Sequence, residues 1–230
     1  MSRGARGRLS KTGSSLGMID MKPIIVLGID LAGSPKRPTG ICRMEGLAAS
    51  TRVVFSDEEI RSSVSPDVRL VAVDAPLSLP RDRCCLRSEC DCAGTAHFRR
   101  CDLELREMGI RFFPLTLGPM RMLTERGIRL KRRLEEAGYE VVETFPGGAQ
   151  DILGMPRQKD PVGLRRALNR FGVTGDIAKR TISPHELDAV TCALAARCCL
   201  TGRFLAVGDP DEGQIILPRP RQRARKKTSR

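Results

Sequence analysis

Residues 24–30, IIVLGID, and residues 69–74, RLVAVD, set the fold class of this chain. Each is built mainly of aliphatic and β-branched residues, and each closes on an aspartate. Continuous apolar runs of this kind, without alternation, belong to strands buried on both faces. Asp30 and Asp74 are therefore expected at the carboxyl ends of two core strands, the edge of an open α/β sheet at which sites form. Between the two runs, residues 39–44 and 51–55 read as short strands in antiparallel, hairpin-connected order. Ser56-Asp-Glu-Glu starts a helix, with Ser56 as cap and Glu59 completing a capping box. The order strand, strand, strand, helix, strand predicts that 69–74 lies parallel to 24–30 through a crossover.

Working outward, residues 80–138 change character. Cysteines cluster first, then ten Lys or Arg fall between Arg99 and Arg133 against four acids. Helices are expected near 96–108 and 119–137. Residues 139–145 (YEVVETF) return to strand character and stop at a Pro146-Gly-Gly turn. Residues 160–171 read as an amphipathic helix with Arg165, Arg166 and Arg170 on its wet side. Ser183, Pro184 and Glu186 form a capping box with Pro at the first helical position, opening a last long helix that runs to about Leu200. Residues 204–207 and 214–217 read as a final hairpin, and there is no internal repeat.

The 230 residues suit one large domain or two small ones, and 40% apolar with 29% charged residues is a globular composition. The longest apolar run, 23–29, is far too short to span a membrane. The basic N-terminus lacks the apolar stretch of a secretory signal, so the chain is expected in the cytoplasm, its nine cysteines reduced or metal-bound. The net charge of +13 is unevenly spread, because Arg3, Arg6, Arg8, Lys11 and seven basic residues of 218–230 account for 11 of it. Residues 1–20 and 218–230 read as disordered basic tails flanking a domain at 21–217 that carries an insertion at about 80–138. In the C-terminal tail, Arg221, Arg223, Arg225, Lys226 and Lys227 are candidate phosphate contacts to nucleic acid, a solubilising end being the plainer alternative. With no Trp, one Tyr and seven Phe, the chain is expected to lack a stacking platform for single strands and to favour duplex or structured DNA or RNA. Nothing in the sequence speaks to oligomeric state.

Two aspartates side by side at a sheet edge repel unless a cation joins them, and hard carboxylate oxygens suit Mg²⁺ or Mn²⁺. The plainer alternative makes both turn residues, and Asp74-Ala-Pro suits a turn. His185 and Asp188 share a face at the positive end of the last helix. Cys192, Ala195 and Cys199 follow on that face, small enough to let the helix lie close to the sheet. First-turn electrostatics is the alternative for Asp188. The capping box gives Glu186 a structural task. Glu143, late in its strand, is a further candidate for the same edge, with an outward, half-exposed position as its alternative.

Cys84, Cys85, Cys90, Cys92, His97 and Cys101 fall within eighteen residues. Four soft ligands from this set would hold Zn²⁺ tetrahedrally and staple the insertion. The spacing matches no standard zinc finger, and reduced, partly buried thiols are the alternative.

The segments GIDLAGS around Asp30, VAVDAPLSLP around Asp74, CDLELRE with GIRFFP, VVETFPGG around Glu143 and HELDAVTCALAA around Asp188 together resemble the predicted nucleases of ribonuclease H fold. Among these the chain looks most like the group catalogued as domain of unknown function 429, over residues 23–217. The resemblance implies a five-stranded mixed sheet, strands 1 to 3 antiparallel, with helices on both faces. It also implies that Asp30, Asp74 and Asp188 match the fold's acidic metal positions. His185 with Asp188 resembles the His-x-x-Asp pair of the Holliday-junction resolvase branch. Classical ribonuclease H enzymes also carry an acid on the first helix, which has no match here, and Glu143 is the substitute candidate. The expectation is a metal-dependent nuclease hydrolysing phosphodiester bonds. The alternatives are a non-catalytic nucleic-acid-binding protein with a zinc-stapled insertion, and an actin-like phosphotransferase suggested by Asp30-Leu-Ala-Gly. The latter needs a duplicated domain and a second phosphate loop, which 230 residues do not offer.

Overall fold

The computed structural model describes residues 23–94 and 96–219. Both basic tails, including Arg221, Arg223, Arg225, Lys226 and Lys227, lie outside the described residues apart from the segment's first two positions. Strand β1 (Ile25–Asp30) pairs antiparallel with β2 (Thr39–Glu45), which pairs antiparallel with β3 (Ala48–Val54). Helix α1 (Asp57–Ser62) follows, held at its start by the expected capping box: the Ser56 hydroxyl accepts from the Glu59 amide, and the Glu59 carboxylate accepts from the Ser56 amide. The chain then crosses to β4 (Val71–Asp74), parallel to β1 with Asp30 directly opposite Asp74. Strand β5 (Val141–Thr144) extends the sheet in parallel beyond β4.

The expectation of five strands is corrected to eight, in the order β6-β3-β2-β1-β4-β5-β8-β7. The terminal hairpin, β7 (Phe204–Asp209) and β8 (Gly213–Pro218), is part of the sheet because β8 docks parallel to β5 at Glu143 and Ile215. At the other edge, the two-residue β6 (Thr174–Gly175) caps β3. Strand β6 and the one-turn helix α6 (Asp176–Lys179) after it are too short to carry any periodicity in sequence.

Between β4 and β5 lie a 3₁₀ turn at Asp91–Gly94, helix α2 (Arg100–Glu107) and helix α3 (Gly118–Glu136). Within this segment α3 belongs to the main core: Leu130 and Leu134 pack with Leu27, Ile29, Val71 and Val73 on one face of the sheet. The opposite face, through Val26, Met44 and Ala72, is covered by helix α5 (Pro161–Phe171) and helix α7 (Pro184–Leu200). A third cluster joins α2 to the terminal hairpin through Cys101, Leu105, Val207 and Leu217.

Helix α7 is buried all round from Glu186 to Ala196, unlike the one-sided stripe of a surface helix. Its approach to β1 is set by glycine: a Cβ on Gly28 would lie 2.1 Å from the Ala189 carbonyl oxygen and 2.3 Å from the Ala193 nitrogen. The backbone at Ala189 and Ala193 makes this approach, and of the expected small residues Cys192 and Ala195 are fully buried and Cys199 is half-buried.

Candidate functional site

The close docking of α7 carries its first turn over the carboxyl ends of β1 and β4. Its capping box forms as expected, the Ser183 hydroxyl accepting from the Glu186 amide at 3.2 Å and the Glu186 carboxylate from the Ser183 amide at 2.8 Å. Glu186 is held further by Thr51 Oγ1 and Arg180 Nη2, at 2.8 and 2.7 Å, so its carboxylate is structural. One residue before it, His185 Nδ1 lies 2.7 Å from Asp30 Oδ2. That contact raises the imidazole pKa by favouring its charged form, against the opposing effect of burial.

Asp30, Asp74 and Asp188 come together from β1, β4 and α7. Enclosure by protein, followed by the charges of Asp30 and Asp188, pushes the Asp74 carboxyl well above the usual carboxylate range. Burial and then the Asp30 charge raise Asp188 to about 7, opposed by a hydrogen bond from Gln150. Gln150 Nε2 donates to Asp188 Oδ1 at 2.7 Å and to Thr191 Oγ1 at 3.2 Å. It lies on helix α4 (Pro146–Ile152), where a turn was expected from Pro146-Gly-Gly. Proline at the first helical position was the available signal, and the two glycines masked it.

Glu143 reaches the same edge but is already engaged. Arg99 Nη1 and Nη2 donate to its two oxygens at 2.7 Å each, and the Leu77 amide adds a bond of 2.8 Å. The same guanidinium bonds Asp102, so Arg99, only 1% exposed, sits between two buried carboxylates. As a metal ligand Glu143 would have to give up part of this fork. Two of the ten basic residues between Arg99 and Arg133, Arg99 and Arg126, are buried. Arg126, 2% exposed, donates to Asp57 and to the carbonyls of Ala32 and Phe55, tying α3 to the loop after β1.

Two cavities flank the aspartates. The larger, about 840 Å³, opens beside Asp74 and Glu143 and is walled by Phe98, Phe112, Phe113 and Phe145. The smaller, about 230 Å³, contains Asp30 and His185, with Arg37 at its margin. Met120 and Leu123 of α3 border both.

The cysteine cluster resolves into four thiols. Ligand atoms of Cys84, Cys85, Cys90 and Cys92 all lie within 4.8 Å of one another, the one such group of three or more potential ligands among the described residues. Sulfur separations run from 3.3 Å for Cys90–Cys92, through 3.5 Å for Cys84 to each of these, to 3.9 Å for Cys85–Cys92. A tetrahedral ZnS₄ centre with bonds of about 2.3 Å has edges of about 3.8 Å, so this set can hold a structural metal such as Zn²⁺. His97 is exposed and outside the group, and Cys101 is buried in the third core; neither joins it. Arg83 braces the loop by donating to the carbonyls of Cys85, Ala93 and Ala96 at 3.1 Å each.

No described helix is long and apolar enough to cross a membrane. No curated protein and no solved structure matches the chain significantly. A family model described as "Protein of unknown function (DUF429)" matches residues 28–213, and the chain belongs to that family.

Proposed function

We propose that the protein is a metal-dependent nuclease of ribonuclease H-like fold, hydrolysing phosphodiester bonds of DNA or RNA. The observation that carries this reading is Asp74, wedged beside Asp30 and Asp188 at the carboxyl edge of parallel strands, its ionised form disfavoured by all that surrounds it. Buried carboxylates set against one another lower stability and persist where a function needs them. The antiparallel β1–β3 followed by parallel β4 and β5 supports the fold assignment.

The donor set suits a hard divalent cation, Mg²⁺ or Mn²⁺, held by Asp30, Asp74 and Asp188. When bound, the ion would supply Lewis-acid stabilisation of charge developing on the phosphate and the leaving oxygen. The protein's own groups do the rest. Asp30 orients the His185 ring through Nδ1, leaving Nε2 to exchange a proton with the attacking water or the leaving group. Gln150 fixes the Asp188 carboxylate, and Arg99 fixes the orientation of the Glu143 carboxylate beside the site through two hydrogen bonds.

The test is a Mg²⁺ and Mn²⁺ cleavage screen over single-stranded, duplex, hybrid and four-way substrates. Cleavage by the wild type, abolished in folded Asp30→Asn and Asp188→Asn variants, is expected. Full metal-dependent cleavage by those variants would sink the assignment of the site. Tight binding with no cleavage of any substrate would instead favour a non-catalytic nucleic-acid-binding protein.

A further inference from the structure

Four of the seven phenylalanines in the chain stand around one cavity. Phe98 and Phe112 meet edge to face, with ring centres 6.1 Å apart and planes at 88°. The Arg106 guanidinium covers one face of Phe98 at 4.3 Å, and that of Arg157 lies 5.8 Å from the Phe145 ring. Phe113 differs from these: it is 70% exposed, the highest value among the exposed large apolar side chains of the described residues. A ring left so open at the mouth of a cavity loses hydrophobic stabilisation that burial would give. Arg106, Arg111, Arg157 and Lys159 line the same cavity together with Asp74 and Glu143.

We propose that this cavity is a nucleobase pocket and that the substrate is a single strand, entered by an unstacked base lying on Phe113. This deepens, and rests on, the nuclease reading of the neighbouring aspartates. The cavity of about 840 Å³ lies within the range of small-ligand pockets. Its walls offer what a nucleotide presents, with aromatic faces for the base and a guanidinium and ammonium rim for the phosphates. A ring can lie on a base face only when that base has left its stack, which selects single strands, ends and loops over an intact duplex. The scarcity of aromatics, which argued from composition for a duplex substrate, is thus offset by their being gathered in one place.

The test reads binding alone, without added Mg²⁺ or Mn²⁺, by fluorescence anisotropy. Its probes are a 12-residue oligothymidylate, an abasic strand of equal length and a hairpin duplex. The two single strands carry the same phosphates, so contacts from the basic tails cancel in their ratio. Oligothymidylate is expected to bind at least about fivefold tighter than the abasic strand, the stacking contribution of one base. Phe113→Ala should remove that preference while leaving duplex binding unchanged. Phe113→Trp should retain it, and its indole, alone in a chain without tryptophan, should be quenched by oligothymidylate and not by the abasic strand. Equal binding of the two strands, or an unchanged ratio in Phe113→Ala, would overturn the proposal. A chain that passes this test yet cleaves nothing in the metal screen would retain the pocket and lose the nuclease reading.

Discussion

Asp74 is the residue at which stability and the proposed activity pull apart. Its ionised form is opposed by enclosure and by the charges of Asp30 and Asp188, so removing the charge relieves the metal-free fold. Asp74→Asn is expected to unfold in urea with a stability equal to the wild type or up to about 2 kcal/mol greater, and to lose cleavage. A clear loss of stability would mean that the carboxylate serves the fold. Arg99 makes the opposite case. It satisfies Glu143 and Asp102 together in a buried fork, and Arg99→Met leaves two carboxylates uncompensated. Urea unfolding should show a loss of about 3–5 kcal/mol, the cost of breaking a buried ion pair from one side. Asp30, Asp74 and Asp188 were legible in sequence because each closes a buried strand or opens a helix. Arg99 and Gln150 were not, since their roles depend on partners 44 and 38 residues away, and no local pattern encodes such a pairing.

At the scale of elements, β1, β4 and α7 announce themselves by apolar runs and a capping box, whereas α4 is disguised by glycines. In the thiol-bearing loop, residues 81–94, Leu86 is the one buried large apolar side chain; its four cysteines range from half-buried to exposed, and Arg83 braces it through backbone carbonyls. With so little core beneath it, a metal is expected to set its rigidity. Protein purified without an affinity tag should contain about one zinc per chain by elemental analysis. Removing the zinc by chelation should raise hydrogen exchange in residues 81–94 while leaving β1 and α7 protected. Cys92→Ser should do the same, whereas His97→Ala should change neither zinc content nor exchange. Zinc-free protein with unchanged exchange would leave the cluster as reduced thiols.

For the whole molecule, charge and chemistry are separated along the chain. The basic residues of the two tails carry most of the net +13, while the carboxylates gather at one sheet edge. Deleting residues 220–230 removes six positive charges. The salt dependence of nucleic-acid affinity should become shallower by up to about 5 in log–log slope, with thermal stability unchanged. An unchanged slope would assign phosphate binding to the folded body instead. The sequence by itself determined the strand-terminal aspartates, the helix that faces them and the concentration of charge in the tails, because burial periodicity, capping and composition are local properties. Only the tertiary structure decided that β8 would dock on β5, that Arg99 would neutralise Glu143, that four thiols would meet without His97 and Cys101, and that four scattered phenylalanines would share one cavity. Each of these is a contact between distant segments, fixed by the packing of layers across the sheet and by the close approach of α7 over Gly28.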